Sequence, residues 1–282
     1  MKNTVTKEWL HARINDANVR VVDCRYYMGD ATKGMNEYIE NHIPGAVYFD
    51  LELDLSSPVQ NHGGRHPLPE ISEFVDKLSA AGIDNNTIVV AYDNQASAMA
   101  SRFWWLMRYL GHERAFILDG GYDQWVQAGY PITTDVPQYE KKMFTPQVQT
   151  DMIATMEDVR AAIRTHSALL IDSREPKRYL GYEEPIDRIA GHIPTAKNYF
   201  WREGLTEEGN WKDENFQSTR FQEIPKDSPL IVYCGSGVTA CPNILALDEA
   251  GYANVKLYVG SWSDWISYSD NNVARKYEEN TK

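Results

Sequence analysis

The run Leu230-Ile-Val-Tyr-Cys-Gly-Ser-Gly-Val-Thr-Ala240 decides the local architecture of the C-terminal half. A β-prone stretch ends in a cysteine, two glycines follow at once, and a helix-compatible segment runs from about Thr239 to Ala250. That order is a strand, a tight loop and a helix N-terminus. Gly235 and Gly237 admit backbone angles that a side chain resists, so successive N–H groups can turn towards the sulfur of Cys234. Those donors and the positive helix end favour an anion. They should lower the thiol pKa and hold Cys234 partly as thiolate, the form that attacks. A lone cysteine at a strand end is ordinarily a packed apolar side chain; the glycine pattern favours the nucleophile here.

Outward from this run, the chain repeats itself. In the first half, Thr6 can cap a helix from Lys7 to about Asp16, and Val19 to Asp23 reads as a buried strand ending in Asp23-Cys-Arg25. A strand from Ala46 to Phe49 follows Asn41-His42-Ile-Pro-Gly-Ala46, and a polar loop runs from Asp54 to Pro69. Then come a helix from Pro69 to Ala81, a strand from Thr87 to Tyr92 and a helix from Ala96 to Leu110. A strand from Ala115 to Leu118 and a helix opening at Gly120-Gly-Tyr-Asp-Gln-Trp125 complete the set. In the second half, Thr155 caps a helix to about Arg164, and Leu169-Leu-Ile-Asp-Ser-Arg174 echoes the first strand. Gly191-His192-Ile-Pro echoes the His42 segment, Leu230 to Tyr233 echoes Thr87 to Tyr92, and Gly260-Ser-Trp-Ser-Asp-Trp265 echoes Gly120 to Trp125.

Asp23 and Asp172 stand 149 residues apart and His42 and His192 150 apart, whereas Asp93 and Cys234 are separated by 141 and Trp125 and Trp265 by 140. Two nearly constant offsets imply one duplicated unit, with about nine extra residues in the first copy, on the Asp54 to Pro69 loop. So long a period makes each copy a whole domain. Alternating strands and helices predict an α/β fold in each, a mostly parallel sheet with helices on both faces. The expected division is a first domain over 1–130, a polar, proline-punctuated linker over 131–150 and a second domain over 151–282. Asp93 stands where the second copy has Cys234, in a loop without glycine, so the first domain should be catalytically silent and serve as scaffold and wall of the cleft.

Composition narrows the class of partner. The chain has 282 residues, a net charge of −12 and eight tryptophans, which suits packed globular domains and gives no electrostatic footprint for nucleic acid or anionic membrane. An acidic body that handles an anionic substrate needs local arginines. The N-terminus lacks an apolar signal core, and no stretch approaches the roughly 18 apolar residues of a membrane span. Three cysteines (Cys24, Cys234, Cys241) without metal-ligand spacing argue against a disulfide framework and for a reducing cytoplasm. Cys241 reads as structural.

Two copies of a unit carrying Asp-x-Arg, His-Ile-Pro, a loop after the fourth strand and Gly-x-aromatic-x-x-Trp closely resemble the tandem-domain rhodanese-like sulfurtransferases, over roughly residues 5–270. The loop Cys234-Gly235-Ser236-Gly237-Val238-Thr239 is similar to the active loop of 3-mercaptopyruvate sulfurtransferases, whereas thiosulfate-preferring members carry two basic residues directly after the cysteine. The resemblance implies sulfur transfer with 3-mercaptopyruvate favoured over thiosulfate as donor. It implies a Cys234 persulfide, an acceptor that is a thiol, cyanide or a thioredoxin-type protein, and no metal or organic cofactor. It places substrate-binding arginines at Arg178 and Arg188, and a relay from Ser236 through His66 to Glu52. Thr239 reads as a helix cap. Asp23, Arg25, Asp172 and Arg174 read as internal braces, and His42 and His192, present in both copies, as turn structure.

Two other readings fit parts of the pattern. A cysteine phosphatase or arsenate reductase on the same fold needs an arginine six residues after the cysteine; Ala240 stands there. A persulfide relay with little free turnover would use the same loop, and separates from the enzyme by release of pyruvate.

Overall fold

The computed structural model describes residues 2–276, so the expected second domain's last residues, 277–282, lie outside the described residues. The chain forms two compact units, each drawing a segment from the other half of the sequence. Unit 1 comprises Met1–Ser57, Leu68–Thr150 and Leu205–Lys212; unit 2 comprises Pro58–Pro67, Asp151–Gly204 and Asp213–Lys282.

Unit 1 runs β1 (Thr4–Val5), α1 (Lys7–His11), β2 (Val19–Asp23), α2 (Lys33–Glu40), β3 (Ala46–Tyr48), α3 (Ile71–Ala80), β4 (Ile88–Tyr92), α4 (Ala98–Tyr109), β5 (Ala115–Leu118) and α5 (Gly121–Gln127). Its sheet has the order β1-β5-β4-β2-β3, with every pair parallel. Unit 2 runs β6 (Ile153–Ala154), α6 (Met156–Thr165), β7 (Leu169–Asp172), α7 (Pro176–Tyr179), β8 (Lys197–Asn198), α8 (Glu214–Arg220), β9 (Leu230–Tyr233), α9 (Cys241–Glu249), β10 (Val255–Tyr258) and α10 (Ser261–Trp265). Its sheet repeats the topology as β6-β10-β9-β7-β8, again all parallel. The α/β expectation therefore holds in both halves.

Central parallel strands are covered on both faces, so they read as unbroken apolar runs; Leu230, Ile231, Val232 and Tyr233 are all buried. Packed against them are Trp262 and Trp265 in unit 2, and the equivalent Trp125 packs with Val90 and Tyr92 in unit 1. Each of the equivalent indoles is buried with its N–H satisfied: Trp265 Nε1 donates to the Asn272 carbonyl (2.9 Å) and Trp125 Nε1 to that of Pro131 (2.8 Å). Truncating either to alanine removes about 3–5 kcal/mol.

The helix caps behave as their residue types require. Thr155 forms a capping box with Asp158, and the Thr6 side chain accepts from the Trp9 N–H (3.2 Å). Helix α1 nevertheless ends at His11, because Ile14, Asn15 and Asp16 are poor helix formers. Arg25 Nη2 donates to Asp23 Oδ2 (2.7 Å) and Arg174 Nη2 to Asp172 Oδ2 (2.6 Å), both pairs being buried. His42 bonds the Tyr38 carbonyl through Nδ1 (2.6 Å), and His192 bonds that of Tyr179 in the same way (2.7 Å). These four charged residues and two histidines brace turns, as their recurrence suggests.

In unit 2, β8 joins one side of β7 while β9 and β10 lie on the other. The strand order reverses between β7 and β9, so the loops after those two strands open a crevice at the carboxyl edge of the sheet. Arg174 and Arg178 follow β7, and Cys234 follows β9.

Candidate active site

Cys234 is the first residue after β9 and is buried. Its Sγ accepts a hydrogen bond from the Gly237 N–H at 3.2 Å. Gly237 has φ +81°, and a Cβ there would stand 2.3 Å from the Val259 carbonyl oxygen. Glycine is the residue that lets the chain turn back under the sulfur. The root of the loop is pinned to the start of α10. The Trp262 N–H donates to the Cys234 carbonyl (3.0 Å) and the Ser263 N–H to that of Gly235 (2.9 Å). The Cys234 N–H donates to Ser261 Oγ (3.1 Å), and Ser261 holds that position at φ +56°.

The helix after the loop starts later than the sequence suggests. Its first residue is Cys241, with Pro242 in the first turn and no side-chain cap. Thr239 therefore does not cap it: proline favours the first helical turn and draws the helix start past the threonine. Cys241 Sγ donates to the Gly237 carbonyl (3.3 Å) and supports the loop from below, in keeping with a structural role. Val238 is buried with it.

The segment 58–67 belongs to unit 2, and its backbone is fastened to α10. The Gly63 N–H donates to Asp264 Oδ1 (2.7 Å) and the Arg65 N–H to Ser263 Oγ (3.1 Å). Gly64, at φ +82°, approaches so closely that a Cβ would lie 2.3 Å from the Gly260 carbonyl oxygen. This anchorage sets His66 Nδ1 2.8 Å from Ser236 Oγ, so two members of the expected relay share a hydrogen bond. Glu52 belongs to unit 1, where it accepts from the Tyr26 hydroxyl (2.6 Å).

The arginines are distributed differently from the expectation. A Cβ on Gly235 would stand 3.0 Å from Arg65 Nη2 and 3.6 Å from Arg178 Nη2. Arg178 therefore faces the loop, and Arg65 stands beside it there. Arg188 instead donates to the Ile266 carbonyl beyond α10. The turn Glu184 to Asp187 directs the Asp187 carboxylate to Arg65 and Arg178, and the next side chain points away. Arg178 is held by Glu184 through Nε (3.0 Å) and Nη2 (2.6 Å). Burial pushes the Asp187 pKa up, against the pull of Arg65, and the neighbouring charge of Glu184 pushes the same way. Arg174 stays charged: burial disfavours its cation, but Asp172 overcomes this and leaves its pKa above the ordinary value.

Arg65, Glu184 and Asp187 are site residues that motif reading misses. One signal pointed to Arg65. The surplus residues of the first copy fall on its loop, and an insertion confined to one copy of a duplicated unit marks a loop with its own task. Nothing comparable distinguishes Asp187 from the other acidic residues around it.

Among the described residues, no helix is long and apolar enough to cross a membrane. The rhodanese-like domain family matches twice, at residues 6–128 and 155–268. A probable 3-mercaptopyruvate sulfurtransferase of Pseudomonas aeruginosa is 38% identical over 93% of this chain and 94% of its own length. A thiosulfate sulfurtransferase of Cricetulus griseus is 35% identical over 93% and 91%. Among solved structures, the 3-mercaptopyruvate sulfotransferase SseA of Escherichia coli superposes with a TM-score of 0.78 at 32% identity, covering 92% of this chain and 98% of that one. Tum1 of Saccharomyces cerevisiae, at 21% identity and a TM-score of 0.84, shows the same fold over 97% and 98%. With both copies matched and relatives of this identity spanning nearly its whole length, the chain belongs to the rhodanese-like family and carries two rhodanese domains.

Proposed function

We propose that this sulfurtransferase takes a sulfane sulfur from 3-mercaptopyruvate, ahead of thiosulfate, onto Cys234 and passes it to a thiol or cyanide. The observation that carries the reading is the Gly237 N–H at 3.2 Å from a buried Cys234 Sγ, with two guanidinium groups facing the adjacent Gly235. The Cys234 thiolate attacks the sulfur of 3-mercaptopyruvate, and an S–S bond forms. The C–S bond breaks, its electron pair passes to the enolate of pyruvate, and a proton on that carbon completes the product. The N–H that faces the sulfur then faces an anionic persulfide, whose charge it stabilises. The acceptor thiolate attacks the outer sulfur and regenerates Cys234.

Two features favour the keto acid over thiosulfate. The loop carries Gly235 and Ser236 where a cationic loop would help a sulfite leaving group. Ser236, oriented by His66, offers a hydroxyl to the oxygen that gains charge as the enolate forms. Intact-mass analysis after exposure to 3-mercaptopyruvate should show a gain of about 32 Da on the Cys234 peptide, with one pyruvate released. Sulfur found on Cys24 or Cys241 instead, or no mass gain, would overturn the assignment. Persulfide received from a donor protein without pyruvate release from 3-mercaptopyruvate would mark a relay.

A further inference from the structure

Two guanidinium groups face Gly235, and a single carboxylate joins them. Asp187 accepts from Arg65 Nη1 and from Arg178 Nη2, the latter at 3.1 Å, with its side chain 5% exposed. Glu184 is fixed from several sides. It bonds Arg178, Arg174 Nη1 (3.3 Å) and the N–H groups of Ile186 (3.2 Å) and Asp187 (3.1 Å). The carboxylate of Asp187, by contrast, is held through the two guanidiniums. Arg65 Nε is buried and has no hydrogen-bond partner among the described residues, so the Arg65 fork is not fully used. Three arginines (Arg65, Arg174, Arg178) face three carboxylates (Asp172, Glu184, Asp187). The cluster is thus neutral within a chain of net charge −12 and offers an incoming anion no net attraction while Asp187 stays in place.

This inference rests on sulfur transfer at Cys234. We propose that Asp187 is a resident counter-anion seated where the donor's anionic group binds between Arg65 and Arg178, and that it selects donors by charge. A donor carboxylate replaces it one charge for one and bridges the two guanidiniums as Asp187 does, one oxygen to each. A dianion such as thiosulfate leaves surplus negative charge facing the displaced Asp187 across a few ångströms of partly buried space, where screening is weak. Monoanionic keto acids are therefore preferred for a reason outside the six-residue loop.

The test is Asp187→Asn, which keeps the shape and removes the charge. Its kcat/KM for thiosulfate should rise about tenfold relative to that for 3-mercaptopyruvate, the scale of one removed like charge at a partly screened site. A readout independent of turnover is the rate of Cys234 alkylation by iodoacetate against that by iodoacetamide. The iodoacetate-to-iodoacetamide ratio should rise in Asp187→Asn and fall in Arg65→Gln. An unchanged donor preference with unchanged alkylation ratios overturns the proposal and leaves sulfur transfer standing. Should Cys234 accept sulfur from neither donor, the sulfur-transfer reading falls, while the alkylation ratios still decide whether Asp187 guards an anion site. If circular dichroism shows Asp187→Asn unfolded, the Arg65→Gln ratio alone decides.

Discussion

The loops after β4 and β9 occupy the same place in two copies of one fold, and they answer the same electrostatic problem in opposite ways. Both are tied to the helix beyond the next strand by an equivalent bond: Tyr122 N–H of α5 to the Asp93 carbonyl (2.9 Å) in unit 1, Trp262 N–H of α10 to the Cys234 carbonyl (3.0 Å) in unit 2. In unit 1 the Asp93 carboxylate folds back into the loop and accepts from the N–H groups of Gln95 (2.8 Å), Ser97 (2.9 Å), Met99 (2.8 Å) and Ala100 (2.9 Å). These bonds hold Ala96 and Ser97 at φ +56° and +64°, a region such residues seldom occupy. The unit 1 loop is thus an amide cradle already filled by its own carboxylate. In unit 2 the Gly237 N–H faces the Cys234 sulfur, which on the proposed reading leaves with its charge on a transferred atom. Main-chain amides at a strand's carboxyl end come with the fold; on the proposed reading, one side chain decides whether they close a structure or run a reaction.

Exchanging the side chains tests that contrast most severely. Cys234→Ser should lower sulfur transfer by at least about a thousandfold, as loss of a covalent nucleophile does. Adding Asp93→Cys to that variant should restore nothing, because the loop after β4 lacks glycine at the positions of Gly235 and Gly237. Measurable turnover in the double variant would mean that the cradle alone suffices.

In the loop after β4 the same contrast predicts an effect on stability. Asp93→Ala should cost about 3–5 kcal/mol of unfolding free energy, since it strands buried N–H donors around a strained turn. Persulfide formation on Cys234, assayed below the lowered melting temperature, should persist. Unchanged melting with Asp93→Ala would show that the four bonds are dispensable.

A milder contrast separates the copies in acid. His112 and Tyr252 stand 140 residues apart at matching places. Tyr252 donates its hydroxyl towards the Phe221 and Ile224 carbonyls (2.7 and 2.8 Å), whereas burial holds the His112 pKa down to about 4. The unfolded chain takes up that proton near pH 6.5, so the folded state loses stability as pH falls from about 6.5 towards 4. Between pH 7.5 and 5.5 the loss is roughly 1.4 kcal/mol. His112→Tyr should flatten the dependence, and hydrogen exchange at the two pH values should place the acid-sensitive opening in unit 1. Equal sensitivity in the variant would assign it elsewhere.

Much of this protein follows from local rules that a sequence expresses directly. Unbroken apolar runs such as Leu230 to Tyr233 mark parallel strands, Thr155 with Asp158 marks a helix start, and the paired offsets mark a duplication. The residue that distinguishes the two loops, Cys234 against Asp93, is equally legible, because the proposed nucleophile and its loop are contiguous. Short pieces were not: β1 and β6 have two residues each, too few to show a period. The helix start at Cys241 also departs from expectation, because Pro242 and not Thr239 governs it.

Tertiary structure alone decided which charges gather at the loop. Arg65 lies 169 positions before Cys234 in the chain and reaches Gly235 because Gly63, Gly64 and its own N–H fasten the segment 58–67 to α10. Arg188, nearer in sequence, turns to the Ile266 carbonyl instead. Covalent neighbours dictate strand, turn and helix through backbone sterics, which act over a few residues. A constellation of charged groups depends on where distant backbones can approach and which carboxylates they find there, and that is a property of the packed chain.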